Sequence, residues 1–300
     1  MRKTWIGILA AFIVIAVSWI GNISFFQAHQ LGDSIFLEHR IEVLNEGGDS
    51  FFLYYLEDAQ GKKIRTIAFP QHPELSIETH DAEYMRYTRQ HLGRFLVSIQ
   101  PHSNNKEAKM SLEPAVIDKV LVQYDDGSTA EQNIGEIRFI DPFEHGKKEA
   151  PISGTSSGSS SDGTGYGHFN VARSAELHSM ESNYMSIMDT IQLSFHFDYR
   201  LPEIRSGIRS TGNGSNAMNT PGTPLEQLEL PIQLAKGDSF YVSYQTNPDD
   251  PEKVFELRLQ LVFKESSKEQ WIEYMFIGSN QPYFTEAQVR SLVREKRKQP

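Results

Sequence analysis

Lys253-Val-Phe-Glu-Leu-Arg-Leu-Gln-Leu-Val-Phe-Lys264 decides the fold class. Phe255, Leu257, Leu259, Leu261 and Phe263 fall on one face of an extended chain; Glu256, Arg258, Gln260, Val262 and Lys264 fall on the other. Period-two alternation belongs to a strand with one buried and one wet face, because a helix would scatter the same side chains around its axis. Glu265-Ser-Ser-Lys-Glu269 then turns the chain into a second strand, Trp271 to Ile277. Upstream, Ile191, Leu193, Phe195, Phe197 and Tyr199 alternate with Gln192, Ser194, His196 and Asp198. Leu228 to Leu234 adds a further strand. Between Val171 and Met188 the stripe Leu177, Met180, Tyr184 and Ile187 fits a core-facing helix or an irregular extended segment.

The same strand-and-turn texture fills the earlier segment. Ile35, Leu37, His39, Ile41 and Val43 alternate with Phe36, Glu38, Arg40 and Glu42 in a mostly period-two strand, and Asn45-Glu-Gly-Gly-Asp49 is turn chemistry. Phe51-Phe-Leu-Tyr-Tyr-Leu56 is apolar on both faces, which predicts a central strand. Ala59-Gln-Gly-Lys62 and Asp125-Asp-Gly-Ser128 predict turns, the latter a hairpin. Asp81 to Leu92 is ambiguous, with Tyr84, Tyr87, Thr88 and His91 fitting one helical face. Seven or so strands are expected between Asp33 and Ile140, arranged as an antiparallel sandwich.

Ser153-Gly-Thr-Ser-Ser-Gly-Ser-Ser-Ser-Asp-Gly-Thr-Gly165 holds no apolar residue and reads as a flexible linker. Gly154-Thr-Ser-Ser-Gly158 matches the G-x-S-x-G pattern of serine hydrolases. That pattern has meaning only where a buried strand and a helix hold the serine on a strained turn, and neither is expected here. At the other end, Thr285 and Gln288 form a capping box, with Phe284 and Val289 as its staple, so the chain closes on a short helix.

Thr4 to Ala28 is different in kind. It carries no formal charge, and Trp5 to Ile20 is almost wholly apolar. About 20 such residues span a bilayer as a helix. Arg2 and Lys3 precede the run, which predicts a cytoplasmic amino terminus and an extracytoplasmic body. Trp5, Phe12, Trp19 and Ile20 are the expected membrane-facing residues, with the tryptophans as interfacial anchors. Cleavage after Ala16-Val17-Ser18 is the alternative and would make the protein secreted. The apolar character continues through Ile23, Phe25 and Phe26, which favours a retained signal-anchor.

The 300 residues carry a net charge of −10. Seven of the bases lie at the two ends (Arg2, Lys3, Arg290, Arg294, Lys296, Arg297, Lys298) with one acid, Glu295; removing them from 29 and 39 leaves 22 bases and 38 acids, a net of −16 for the body. An acidic body speaks against nucleic acid, which needs cations to displace phosphate counterions. The basic carboxy-terminal tail suits anionic lipid headgroups or an anionic envelope polymer. No cysteine is present, which removes disulfides, thiol catalysis and cysteine-based zinc sites.

Candidate chemistry is sparse. His196 with Asp198, and His72 with Glu78 and His80, lack a recognised ligand spacing, and Asn247 to Glu252 lacks the rhythm of a calcium loop. No metal or cofactor is expected. Gly48-Asp-Ser-Phe-Phe-Leu-Tyr-Tyr55 echoes Gly237-Asp-Ser-Phe-Tyr-Val-Ser-Tyr244, and Asp33 to Leu37 echoes Asp189 to Leu193, so the two segments resemble each other weakly. The second segment adds a long loop whose Arg205, Arg209, Asn213 and Asn216 are the expected contact residues for a polar ligand.

The sequence thus predicts a mostly β chain: a start and transmembrane signal-anchor (1–32), a β-sandwich-like domain (33–150), a Ser/Gly linker (151–166), and a second β-sandwich-like domain ending in a helix (167–300). The expected function is non-catalytic binding or interaction at the cell envelope by a single-pass membrane protein. The partners would be the bilayer and an envelope polymer or protein. An extracytoplasmic hydrolase or processing accessory using carboxylates, and a sensing subunit of a membrane complex, are the alternatives.

Overall fold

The computed structural model describes residues 2–27, 29–44, 49–70, 72, 75–99, 116–140, 150–160, 164–184, 194–199, 223–224, 227–245, 253–264, 270–279 and 281–297. Side chains at 2–4, 6–11, 79–82, 99, 194–199, 224 and 278–279 lie outside that description. Helix α1 (Arg2–Gln27) leads into β1 (Ile35–Phe36), β2 (Glu38–Leu44), β3 (Ser50–Asp58) and β4 (Ile64–Ala68). There follow β5 (Leu75–Arg86), β6 (Gln90–Ile99), β7 (Val116–Tyr124) and β8 (Thr129–Ile140). The later part holds β9 (Ile152–Ser159), β10 (Thr164–Val171), β11 (Ala175–Glu181), β12 (Ser194–Tyr199) and β13 (Thr223–Pro224). It ends with β14 (Ile232–Leu234), β15 (Ser239–Gln245), β16 (Lys253–Lys264), β17 (Gln270–Ser279) and helix α2 (Glu286–Lys296).

The fold is mostly β, and the described strands form three sheets. A four-stranded sheet runs β1-β3-β6-β5, and a five-stranded sheet runs β13-β12-β15-β10-β9. The largest sheet has eight strands, β14-β11-β16-β2-β8-β7-β4, with β17 on the other edge of β16. One core lies between the four-stranded sheet and one half of the large sheet. There Phe51, Leu53, Tyr55, Phe95 and Val97 meet Ile41, Val43, Val122, Ile137 and Phe139. A second core lies between the five-stranded sheet and the other half, where Phe169, Phe240, Val242 and Tyr244 meet Leu257, Leu259, Leu261, Phe263 and Trp271. Each fully buried side chain of this size contributes about 1.5–3 kcal/mol.

A third cluster explains why β3 is apolar on both faces. Tyr54 and Leu56 of β3 and Leu92 of β6 point away from the first core and are covered by Val289, Leu292 and Val293 of α2. Thr285 caps α2 as expected: its hydroxyl accepts from the Gln288 amide, and the Gln288 side chain accepts from the Thr285 amide. Phe284 and Val289 are both buried in the cluster.

Three expectations are corrected and one open reading is decided. Asp81 to Leu92 is not helical: β5 and β6 form a hairpin turning at Tyr87 to Arg89, closed by the Tyr87 amide on the Gln90 carbonyl at 2.9 Å. Of the two readings for the stripe Leu177, Met180, Tyr184 and Ile187, the extended one holds: Leu177 and Met180 belong to β11, Tyr184 follows it, and Ile187 lies outside the described residues. The Ser/Gly tract is not a coil. Its first part is β9, paired with β10 from Ile152↔Val171 to Ser159↔Gly165. Strand pairing is not wholly antiparallel either: β2 lies parallel to both β16 and β8, so the large sheet runs across the boundary expected at 151–166.

Candidate functional site

The parallel strands create a place where backbone groups need partners. One edge of β16 pairs with β2 over Lys253 to Glu256, then with β11 over Gln260 to Lys264. Between the two, the Arg258 amide faces neither strand. Glu42, wholly buried on β2, fills the gap: one carboxylate oxygen accepts from the Arg258 amide at 2.6 Å, the other from the Asn183 side-chain amide at 2.7 Å. The Arg258 guanidinium returns to the Glu42 carbonyl at 3.2 Å and to Asp49 at 3.3 Å. Next to it, the Tyr184 hydroxyl donates to Glu136 at 3.2 Å, and Glu136 also holds Arg138 at 2.6 Å. Burial pushes the Glu42 carboxyl upward against these donors and the two arginines. Burial likewise pushes Glu256 up to about 7, opposed by Arg258 and assisted by Asp49.

This cluster ties β2, β8, β16 and the chain just after β11 together. Both Glu42 oxygens are engaged and its side chain has no exposure, so its chemistry is cross-linking. A second buried polar joint lies at His39, which Tyr54 stacks against with ring centroids 6.5 Å apart. Its Nδ1 meets the Ile134 carbonyl at 2.9 Å, and its Nε2 meets the Tyr54 amide at 2.9 Å. One nitrogen must donate and the other accept, which fixes a neutral ring, and burial lowers its pKa to about 4.

The open site lies at the other end, where α1 joins the body. Asp58, buried on β3, receives the chain leaving α1: Oδ2 accepts from the Leu31 amide at 2.8 Å and the Gly32 amide at 3.1 Å. Its Oδ1 accepts from Gln90, which also donates to the His29 carbonyl at 2.9 Å. Arg297, just past α2, donates to the Gln27 carbonyl at 2.9 Å, and the Arg89 guanidinium lies 4.8 Å from the Phe25 ring centre. Phe25, His29, Arg89, Arg290, Val293 and Arg294 line a pocket of about 200 Å³ together with Thr88, Gln90 and Glu286.

The contact-loop residues Arg205, Arg209, Asn213 and Asn216 lie outside the described residues, as do Asn247 to Asp250 and the side chains of His196 and Asp198. The two strands flanking that loop are described: β12 and β13 pair at His196↔Pro224, at the edge of the five-stranded sheet. The G-x-S-x-G stretch sits on β9, an edge strand. Its Thr155 hydroxyl is 2.8 Å from His168 Nδ1, and His168 stacks on Tyr241 at 4.1 Å. His72 stacks on Phe139. Among the described residues, no group of three or more histidines and carboxylates is placed to hold a metal ion. Sequence reasoning missed Glu42, Asp58 and His39. Each sits in a run that reads as an ordinary alternating strand, and only the pairing of distant strands reveals its partner.

Trp5, Phe12, Trp19 and Ile20 lie on α1 and are 72%, 67%, 68% and 64% exposed. Among the described residues, no helix is long and apolar enough to cross a membrane, and on α1 the described side chains are Trp5 and Phe12 to Gln27 alone.

No known family matches this sequence, and no curated protein matches it. Among solved structures, one similar chain comes from work described as the complete structure of manganese lipoxygenase of Gaeumannomyces graminis and partial structure of zonadhesin of Komagataella pastoris. It is 9% identical, covers 83% of this chain and 94% of its own, and has a TM-score of 0.20, a likeness too slight to carry an argument.

Proposed function

We propose that this is a membrane-anchored extracytoplasmic protein whose β-rich body serves in non-catalytic binding at the cell envelope. One observation carries the reading. Phe12 to Phe26 of α1 are exposed on every side of the helix, and apart from Phe25, which meets Arg89 and His29, the described chain leaves most of their apolar surface uncovered. A helix apolar all round needs a core or a bilayer around it. From Trp5 to Phe25 is 21 residues, about 30 Å of helix, which matches the hydrocarbon thickness of a bilayer. Arg2 and Lys3 hold the amino terminus in the cytoplasm, and the body then stands outside. The proposed contact loop with Arg205, Arg209, Asn213 and Asn216 leaves and rejoins the body at an outer sheet edge, a position suited to reaching a partner.

Extraction of membranes from expressing cells tests this. The full chain should stay in the pellet through an alkaline carbonate wash, dissolve in detergent, and keep residues 1–18 by mass. Recovery in the carbonate supernatant, or a mature chain starting near Trp19, would overturn it.

A further inference from the structure

The pocket between α1, the β5–β6 turn and α2 gathers three arginines, Arg89, Arg290 and Arg294, and one acid, Glu286. Glu286 is fastened to Thr88 on the same wall, its Oε1 accepting from the Thr88 amide at 2.7 Å and the Thr88 hydroxyl at 2.8 Å, and its one negative charge leaves the three arginines in excess by two. The side chains of Arg290 and Arg294 make no ion pair or hydrogen bond among the described residues, although both stand on the pocket wall. Their i, i+4 spacing sets them one above the other on α2, which doubles the local positive charge at some cost to the helix. The chain as a whole carries a net charge of −10, so this concentration of guanidinium groups runs against the composition. A guanidinium presents a planar fork of donors that fits phosphate oxygens. The volume of about 200 Å³ is below the usual range for drug-sized ligands and ample for a phosphate with its water. Phe25 lines the same pocket, two residues before α1 ends, and offers an apolar wall beside the charged one.

We infer that this pocket binds a phosphate-bearing anion, supplied by the headgroup of an anionic phospholipid beside α1 or by phosphate from solution. The lipid source rests on the proposed anchor; the phosphate chemistry does not. With α1 in a bilayer, Phe25 falls at the outer boundary of the hydrocarbon, and Arg89, Arg290 and Arg294 reach the headgroup layer. The Asp58 and Arg297 contacts would then hold the body in one orientation on the membrane.

Native mass spectrometry of the full chain in neutral detergent tests the inference, with phosphatidylglycerol and phosphatidylcholine as probes. The chain should retain phosphatidylglycerol about tenfold or more over phosphatidylcholine. R290A/R294A, at two exposed positions, should lose that preference, and R65A, an exposed arginine on β4 outside the pocket, should keep it. A second arm adds inorganic phosphate to the same chains and follows the thermal midpoint. A rise in the parent chain that is absent from R290A/R294A, without a lipid preference, assigns the site to solution phosphate. No preference and no rise, or effects unchanged in R290A/R294A, overturn the inference. Carbonate extraction of the same chains reports separately on the anchor.

Discussion

At the scale of single residues, the molecule is held by buried polar groups whose charge state is dictated by backbone partners. His39 bridges the Ile134 carbonyl and the Tyr54 amide, so a proton added to it breaks one of the two bonds. Above about pH 6.5 the ring is neutral in both folded and unfolded chains. Below that, the unfolded chain takes up a proton that the folded chain refuses until about pH 4. Stability is therefore lost as pH falls through this window, by about 3 kcal/mol for this residue. Glu256 and Glu273 run the opposite way: burial pushes both up to about 7 from an ordinary 4.5, so their contribution is lost as pH rises between those values. Urea unfolding at pH 7 and pH 4 should show a smaller loss for His39→Gln than for the parent chain, by about 3 kcal/mol. Equal losses would assign the acid sensitivity elsewhere. Gly135 faces His39 across the parallel pair with φ of +90°, and a Cβ there would meet the His39 amide and carbonyl. Gly127 has nearly the same φ, +83°, with open space around it. G127A should cost about 1 kcal/mol, the backbone strain alone, and G135A about 3 kcal/mol or more. A calorimetric comparison in which the two were alike would remove the close approach from the account.

At the scale of elements, what the sequence revealed and what it hid follow from one distinction. Strands whose partner face is filled by their own side chains were legible: β16, β17 and β3 alternate or run apolar as their burial does. The capped helix α2 was legible because its signal is local. Strands β9 and β10 were hidden because their space is filled by side chains from elsewhere. Gly165 and Gly167 occupy core-facing positions of β10, and a Cβ on them would meet the Tyr244 ring and Met275 respectively. Gly158 on β9 stands in the same relation to the Tyr166 ring. These glycines are spaces for rings, and the serines between them form the exposed face of an edge strand, yet both residue types read in sequence as a flexible tract. The candidate site was half legible for the same reason: the basic carboxy-terminal run was visible, but the placing of Arg89 beside it depends on a hairpin that reads as a possible helix. G165A should overlap the buried Tyr244 ring and cost about 1–3 kcal/mol by denaturant titration. In a true linker the same change would cost nothing.

At the scale of the whole molecule, the two cores are joined by strands and not by a tether. The linker expectation made a direct claim, that cutting between Ser153 and Gly165 frees two independent halves. The pairing of β16 with β2, and of β2 with β8, argues the reverse, because the large sheet passes from one core to the other far from that stretch. Glu42 reinforces the joint through Arg258 and Asn183, and α2, from the end of the chain, covers the first half's four-stranded sheet. Cutting the chain between Ser160 and Thr164 leaves these contacts in place, since the closing bond there joins only the Ser160 amide to the Thr164 carbonyl at 2.7 Å. A protease site inserted at Asp162 in the detergent-solubilised full chain should therefore yield two fragments that co-elute as one particle at native size. E42A in the nicked protein should weaken their association, since it leaves the Arg258 amide and Asn183 without their buried acceptor, a loss of about 3–5 kcal/mol for a buried charged partner. If the nicked parent fragments separated on the column without denaturant, the continuous sheet would not be what holds the halves together, and the Ser/Gly tract would regain its role as the connection between independent domains.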